Sequence, residues 1–129
     1  MTKVLAGGAF NTFHKGHEHF LRQAKKLGDS LIVVVACDST VLKNKGYLLL
    51  PAAERKSLVE KSGLADRVVI GDETDFIKIV RKEKPDIIAL GYDQKFDETI
   101  LRKMGCRIVK IPMLPGYSTK EIVKNKLKT

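Results

Sequence analysis

The chain has 129 residues, 43% of them hydrophobic and 30% charged, with a formal net charge of +9 and two cysteines, Cys37 and Cys106. Its apolar runs are far shorter than the roughly 20 residues of a membrane helix, and the two cysteines lack the spacing of a zinc site or a disulfide framework. The composition argues against a membrane-spanning or disulfide-stapled secreted protein, so we expect one cytoplasmic domain over residues 1–129 with reduced, buried thiols.

Five apolar, β-branched runs alternate with segments of helical periodicity, which is the pattern of a parallel α/β fold. The predicted strands are 4–6, 31–37, 68–70, 87–90 and 108–111. The predicted helices are 16–27, one that starts near Pro51, 75–82, 96–104 and a last one that starts at Ser118 and Thr119. The least regular stretch, 38–50, is predicted to be a mobile loop over the site.

Helix signals refine three of these segments. In 16–27 the apolar side chains fall on one face, and Gly28 follows where a helix end favours a residue that tolerates positive φ. In the second helix, Leu58 and Val59 are predicted to point inward. Ser118 and Glu121 have the spacing of a capping box, which predicts an ordered start for the last helix.

The residues that follow the first strand indicate a ligand site, because ligands of doubly wound sheets bind beyond the carboxyl ends of the strands. The small residues there let a phosphate approach the backbone, and Gly16 opens a helix whose N-terminus favours anions. His14 and His17, three residues apart, can aim ring N–H groups at one point and there either donate to a phosphate oxygen or bind a metal.

Two other interpretations of the histidine pair stay open at this point. Both rings can simply cap and pack at a helix start. A zinc site would need a third ligand, and the nearby candidates form no recognised pattern with the pair; they are Glu18, His19, Cys37 and Asp38.

The positive charge favours an anionic partner, which can be nucleic acid, an anionic membrane surface or a phosphorylated small molecule. The basic residues are spread through helix-like stretches, and no zinc-finger or aromatic RNA-binding signature accompanies them. Charge alone does not choose among these partners, although the spread of the basic residues argues against nucleic acid.

The turn motif itself resembles that of a known family. Gly8-Ala9-Phe10-Asn11 followed by His14-Lys15-Gly16-His17 is similar to the Gly-Thr-Phe-Asp and His-x-Gly-His signatures of the cytidylyltransferase-like nucleotidyltransferases. In this chain Ala9 replaces the usual Thr and Asn11 replaces the usual Asp, so a hydroxyl and a carboxylate of the family are absent.

Three further segments resemble the same family, in the same order along the chain. Lys43 and Lys45 with Glu54-Arg55 resemble its basic loop and the pair that opens its second helix. Gly91-Tyr92-Asp93-Gln94 matches its fourth-strand signature, and Tyr117-Ser118-Thr119 lies where the family has a phosphate-binding helix start. The resemblance implies a Rossmann-like, doubly wound, five-stranded parallel sheet of order 3-2-1-4-5 with helices on both faces.

The resemblance also implies a reaction and roles for individual residues. A phosphate of the acceptor attacks the α-phosphorus of a nucleoside triphosphate, and pyrophosphate leaves. A nucleoside triphosphate and a phosphorylated small molecule, without a membrane, are the partners that the family resemblance implies. Mg²⁺ or another divalent cation would arrive with ATP, bridging its phosphates, without a site held by the protein alone. The implied catalytic residues are His14, His17 and Lys45; those for the nucleotide are Gly8, Ala9, Phe10, His14, Lys15, Gly16, His17, Gly91, Asp93, Tyr117, Ser118 and Thr119; those for the substrate phosphate are Asn11, Lys43, Lys45 and Arg55.

Within the family the chain most resembles the archaeal-type FAD synthases, which join AMP from ATP to riboflavin phosphate (FMN), on segments 32–36 and 87–94. The alternatives are a glycerol-3-phosphate cytidylyltransferase that uses CTP and a sugar-phosphate nucleotidyltransferase. From another class, a nucleotide- or nucleic-acid-binding module without activity stays open. The sequence also leaves open whether the chain forms a homodimer, as members of the family often do.

Overall fold

A computed structural model of the chain describes residues 1–10, 15–71, 76–91 and 98–112, apart from the side chains of residues 44, 45 and 76. Strands and helices alternate along the described residues. In chain order the elements are β1 (Lys3–Gly8), α1 (Lys15–Lys25), β2 (Ser30–Val35), α2 (Asp38–Lys45), α3 (Ala52–Lys61), β3 (Arg67–Ile70), α4 (Phe76–Glu83), β4 (Ile87–Gly91), α5 (Glu98–Lys103) and β5 (Arg107–Ile111).

The five strands form one parallel sheet of order β3-β2-β1-β4-β5, which confirms the predicted fold. The chain moves outward from β1 through β2 to β3 and then crosses back to β4 on the other side of β1. The strand order therefore reverses between β1 and β4, where Ala6 pairs with Ala89. Gly8 and Gly91 end these two strands, so both lie at the carboxyl edge where ligands of such sheets bind.

Alternate residues of each strand supply the cores on the two faces of the sheet. In β1, Val4 and Ala6 belong to the core that α1 and α3 cover, whereas Leu5 belongs to the core that α4 and α5 cover. The helices contribute buried apolar side chains to these cores: Leu21 and Ala24 from α1, Val59 from α3, Val80 from α4 and Leu101 from α5. The result is a three-layer α/β/α domain with helices on both faces.

Gly28 corrects one prediction. Helix α1 ends at Lys25, two residues earlier than predicted, and Gly28 does not have the positive φ expected of a helix end. A Cβ atom at position 28 would instead lie 2.7 Å from the Thr2 carbonyl oxygen and 2.8 Å from Val4 Cγ2. Glycine is required there because the chain that leaves α1 passes directly against the start of β1.

The structure of segment 38–50 differs from a second prediction. Its first eight residues form helix α2, which ends at Gly46 with a φ of 81° and a hydrogen bond from the Gly46 N–H to the Leu42 carbonyl. Val41 buries its side chain, but the helix lacks the regular apolar stripe by which helices are predicted from sequence. The mobile loop predicted over the site is therefore wrong for residues 38–45.

Helix α3 begins after Pro51, near the predicted position, and buries Val59, while Leu58 is only partly buried. Its other buried residue is Arg55, a charged side chain on the face that was expected to be apolar. The predicted C-terminal helix, with Ser118 and Thr119, lies outside the described residues. Among the residues that the structure describes, no helix is both long and apolar enough to cross a membrane.

Candidate active site

The described part of the candidate site lies where β1 ends and α1 begins. Gly8 closes β1, and its carbonyl accepts a hydrogen bond from the Ala36 N–H at 2.9 Å, which joins the turn to the end of β2. Helix α1 starts with Lys15, Gly16 and His17, so these residues lie at the positive end of the helix dipole. The N-terminus of a helix favours an anion such as a phosphate, because the dipole of the helix is positive there.

Phe10 gives this turn its shape. Its φ of 50° lies in the left-handed region, where a side chain other than that of glycine is uncommon, and its ring is 3% exposed. The ring packs against the His17 imidazole with 5.3 Å between the two centroids and a tilt of 55°. A Cβ atom at Gly8 would lie 3.0 Å from Phe10 Cε2, so glycine at position 8 leaves room for the ring.

Arg55 enters the site from α3, and its guanidinium group is fully buried. Its Nη1 donates to the Ala9 carbonyl at 2.7 Å and to the Ala36 carbonyl at 2.6 Å. Its Nε donates to the Leu50 carbonyl at 2.8 Å, and its Nη2 to Asp38 Oδ1 at 2.7 Å. The sequence predicts a contact between Arg55 and a substrate phosphate, but the structure directs the guanidinium to these protein acceptors.

Asp38 is a residue of the site that the sequence resemblance did not single out. It opens α2, three residues after the last residue of β2, and its Oδ1 accepts hydrogen bonds from Arg55 and from the Ala52 N–H, each at 2.7 Å. The carboxylate thus places a negative charge beside a buried guanidinium and also bonds the first residue of α3. Its position after a strand end was the only signal in the sequence.

The structure describes some of the other predicted site residues, and the rest lie outside the described ranges. Lys43 lies exposed on α2, Lys45 ends the same helix with its side chain undescribed, and Gly91 ends β4. The remaining predicted residues lie outside the described ranges; they are Asn11, His14, Asp93, Tyr117, Ser118 and Thr119. The described residues therefore bring together Gly8, Ala9, Phe10, Lys15, Gly16 and His17.

The cysteines and the acidic residues offer no metal centre in the described ranges. There, no three His, Cys, Asp or Glu residues are grouped so that they could hold a metal ion. Cys106 is buried as predicted, and burial raises the pKa of its thiol, whereas Cys37 is only partly buried and its sulfur lies 3.1 Å from the Thr40 hydroxyl. Both cysteines are free thiols.

Comparison of the sequence with known proteins identifies the family of this chain. The sequence profile of the cytidylyltransferase-like family matches residues 5–125. The FAD synthase of Thermoplasma acidophilum is 42% identical over 134 residues, which cover 98% of this chain and 94% of the relative. That of Methanosarcina mazei is 42% identical over 99% of this chain and 90% of the relative. The chain belongs to the cytidylyltransferase-like family.

Solved structures show the same architecture. The lipopolysaccharide core biosynthesis protein from Thermoplasma volcanium GSS1 superposes with a TM-score of 0.76 at 43% identity, covering 88% of this chain and 97% of that one. Pantoate-beta-alanine ligase from Francisella tularensis superposes with a TM-score of 0.65 at 14% identity, a level at which the likeness shows the fold alone.

Proposed function

We propose that the protein is an FAD synthase that transfers AMP from ATP to FMN and releases pyrophosphate. Nucleotidyl transfer is supported by the site itself, where His17 and the start of α1 lie beside the glycine turn at the carboxyl edge of the sheet. FMN as acceptor is supported by FAD synthases that are 42% identical over 98% and 99% of this chain. The single observation that carries the proposal is that this identity covers nearly the whole chain.

The chemistry needs positioning and charge stabilisation more than a protein nucleophile. A phosphate oxygen of FMN forms a bond to the α-phosphorus of ATP, while the bond from that phosphorus to the bridging oxygen of the β-phosphate breaks. Pyrophosphate carries the electron pair away. In this proposal, the His17 ring N–H donates to a phosphate oxygen as negative charge develops, and the positive end of the α1 dipole stabilises the charge on a neighbouring oxygen.

Two lysines of α2 and the predicted residues outside the described ranges complete the proposal. His14 and Lys45 are proposed to assist His17 at the transferred phosphate, and Asp93 to contact the ribose. Ser118 and Thr119 are proposed to hold the β- and γ-phosphates, with Lys43 as further countercharge. We keep the expectation of a single, cytoplasmic nucleotidyltransferase domain over residues 1–129.

Magnesium fits the proposal as an ion that arrives on the triphosphate. The carboxylate of Asp38 already accepts hydrogen bonds from Arg55 and Ala52, so it is committed within the fold. Mg²⁺ keeps several of its waters and uses few protein ligands when phosphates are present. Bound to the triphosphate, Mg²⁺ would neutralise charge on the leaving pyrophosphate, and the residues of the turn would still orient the α-phosphate.

A sugar phosphate is the second candidate acceptor. The relative of known structure with 43% identity is a lipopolysaccharide core biosynthesis protein, whose name points to carbohydrate chemistry. Pyrophosphate release in the presence of Mg²⁺ separates the candidates when ATP and CTP are each tested with FMN, glycerol 3-phosphate and a hexose 1-phosphate. We expect turnover with ATP and FMN; turnover only with CTP, or only with the sugar phosphate, would reject the FAD synthase proposal.

His17→Ala tests the site in the same assay. Removal of one donor to a charged transition state typically costs about 3–4 kcal/mol, so we expect kcat to fall about 100- to 1,000-fold. His19→Ala is the matched control, because it lies two residues further along α1 and points away from His17. Equal activity of the two variants would contradict the role of His17.

A further inference from the structure

The conformation of Phe10 needs something to hold it. A φ of 50° for a residue with a Cβ atom typically costs about 1–3 kcal/mol and persists only where the surroundings enforce it. Packing is one such restraint, because the ring is buried in the core that α1 and α3 cover. The peptide group between Ala9 and Phe10 is the other place where the turn can be fixed.

Arg55 fixes that peptide group. Its Nη1 donates to the Ala9 carbonyl oxygen, which belongs to the peptide directly before Phe10. The same nitrogen donates to the Ala36 carbonyl, and the Ala36 N–H bonds the Gly8 carbonyl. One guanidinium group thus connects the turn after β1 to Ala36, the residue that follows β2.

The cost of burying Arg55 argues that this arrangement is more than packing. It is the single buried charged side chain in the part of the chain that the structure describes. Burial of an ion costs several kcal/mol unless its hydrogen bonds are made, and here Asp38 and three carbonyls accept them. An apolar residue would fill the same space at lower cost but could not orient the Ala9 carbonyl.

We propose that Arg55 is a positioning residue: it holds the Ala9–Phe10 peptide in the left-handed turn that seats the Phe10 ring against His17 and so orients the His17 imidazole toward phosphate. The proposal rests on the proposed function only for its catalytic consequence, because the position of His17 is a property of the protein without substrate. In this proposal Arg55 donates to backbone carbonyls of the protein, in place of the direct contact with a phosphate that the sequence predicts.

Lysine is the informative replacement at position 55. Its ammonium keeps the positive charge, but it lacks the planar fork that bonds several acceptors in fixed directions. Arg55→Lys therefore preserves countercharge and removes orientation. Arg67→Lys is the matched control, since Arg67 opens β3 at the opposite edge of the sheet and pairs there with Glu83.

The experiment compares the His17 ring in the ligand-free variants by NMR, with His17→Gln and His19→Gln for assignment. The Phe10 ring shifts the carbon-bound proton signals of His17, and Phe10→Leu gives the signals without that ring. We expect Arg55→Lys to move the His17 signals toward the Phe10→Leu values while the His19 signals stay unchanged. Arg67→Lys should leave both sets of signals in place.

Kinetics add the second readout. We expect kcat for pyrophosphate release from ATP and FMN to fall about 10- to 100-fold in Arg55→Lys, with a smaller change in the KM for ATP, because a misplaced group loses rate rather than affinity. Unchanged His17 signals in a folded Arg55→Lys protein would overturn the proposal. A raised KM for ATP with unchanged kcat and signals would assign Arg55 to phosphate binding.

Two safeguards keep the test decisive. If the wild-type protein does not use ATP and FMN, the proposed function fails, and the NMR comparison alone still accepts or rejects the positioning role. If Arg55→Lys does not fold, Arg55→Met replaces it, since an apolar side chain fills the same space and cannot donate to the Ala9 carbonyl. We then expect the same displacement of the His17 signals, and its absence rejects the proposal.

Discussion

At the scale of single residues, the proposed role of His17 depends on the residues that pack around its ring. The imidazole of His17 rests on Phe10, and the Phe10 ring in turn fills the space above Gly8. The one chemically reactive group in this stack is therefore placed by an aromatic ring and by the absence of a Cβ atom. Small changes at positions 8 and 10 should act on catalysis through geometry.

Gly8→Ala tests this dependence. The added Cβ atom would lie 3.0 Å from Phe10 Cε2 and 3.2 Å from Phe10 Cζ, so the ring must move by a few tenths of an ångström. We expect kcat to fall about tenfold or more, because small displacements of a positioned group cost rate. Gly105→Ala is the control: it also replaces a glycine, with a φ of 86° and open space around it, so it should lower the melting temperature without slowing transfer. Equal kcat in Gly8→Ala and wild type would contradict the expectation.

At the scale of elements, the connections between helices and strands position the site as much as the elements do. Gly28 lets the chain leave α1 directly against the Thr2 carbonyl, and the Asp29 N–H then bonds that same oxygen at 2.8 Å. Helix α1 is thereby fixed to the start of the strand whose far end carries the turn. The orientation of α1, and with it His17, depends on this contact.

Gly28→Ala should consequently destabilise the fold. A Cβ atom 2.7 Å from a backbone oxygen forces the backbone to shift, and overpacking of this kind costs about 1–3 kcal/mol of the free energy of unfolding. Urea unfolding followed by circular dichroism measures the loss. Lys26→Ala, at an exposed neighbouring position, should change the free energy of unfolding by no more than about 0.5 kcal/mol, and an equal loss in both variants would contradict the argument.

At the scale of the whole molecule, charge pairs fasten the edge of the sheet opposite the site. The hydrogen bond from Lys25, followed by that from the Leu31 N–H, holds the pKa of Asp66 below its ordinary value. Burial alone would raise the pKa of Glu83, but its hydrogen bond with Arg67 and the charges of Arg67 and Lys3 outweigh burial and lower it. These pairs join α1, β1, β3 and α4.

The pKa directions fix how stability depends on pH. Both carboxyl groups have lower pKa values in the folded protein than in the unfolded chain, where they lie near 4, so the unfolded chain binds protons first as the pH falls. Their stabilisation is complete above about pH 5 and is lost as the pH falls through the folded values. The melting temperature of Asp66→Asn should be below that of wild type at pH 7, and the two should converge as the pH falls below the lowered pKa of Asp66 in the folded protein. Glu60→Gln, at an exposed position, should match wild type throughout.

The strands followed from the sequence because buried parallel strands are continuous β-branched runs, whereas their order followed only from the resemblance to the family. Helix α2 did not follow from the sequence, since Val41 alone is buried among the residues of this helix whose side chains the structure describes, and no apolar stripe marks the helix. The burial of Arg55 was also beyond prediction. A basic residue in a helix is ordinarily exposed, and its acceptors at Ala9 and Ala36 are backbone atoms 46 and 19 residues away.

The acceptors of the Arg55 guanidinium also determine which side chains the turn requires. Three of its acceptors are main-chain carbonyls, at Ala9, Ala36 and Leu50, and every amino acid supplies the same oxygen. These hydrogen bonds therefore set no requirement on the side chains at the three positions, and alanine at position 9, where the family usually has threonine, accepts the same bond. The proposed role of Arg55 therefore makes its demand on positions 38 and 55, which supply the carboxylate and the guanidinium, and not on the side chain at position 9.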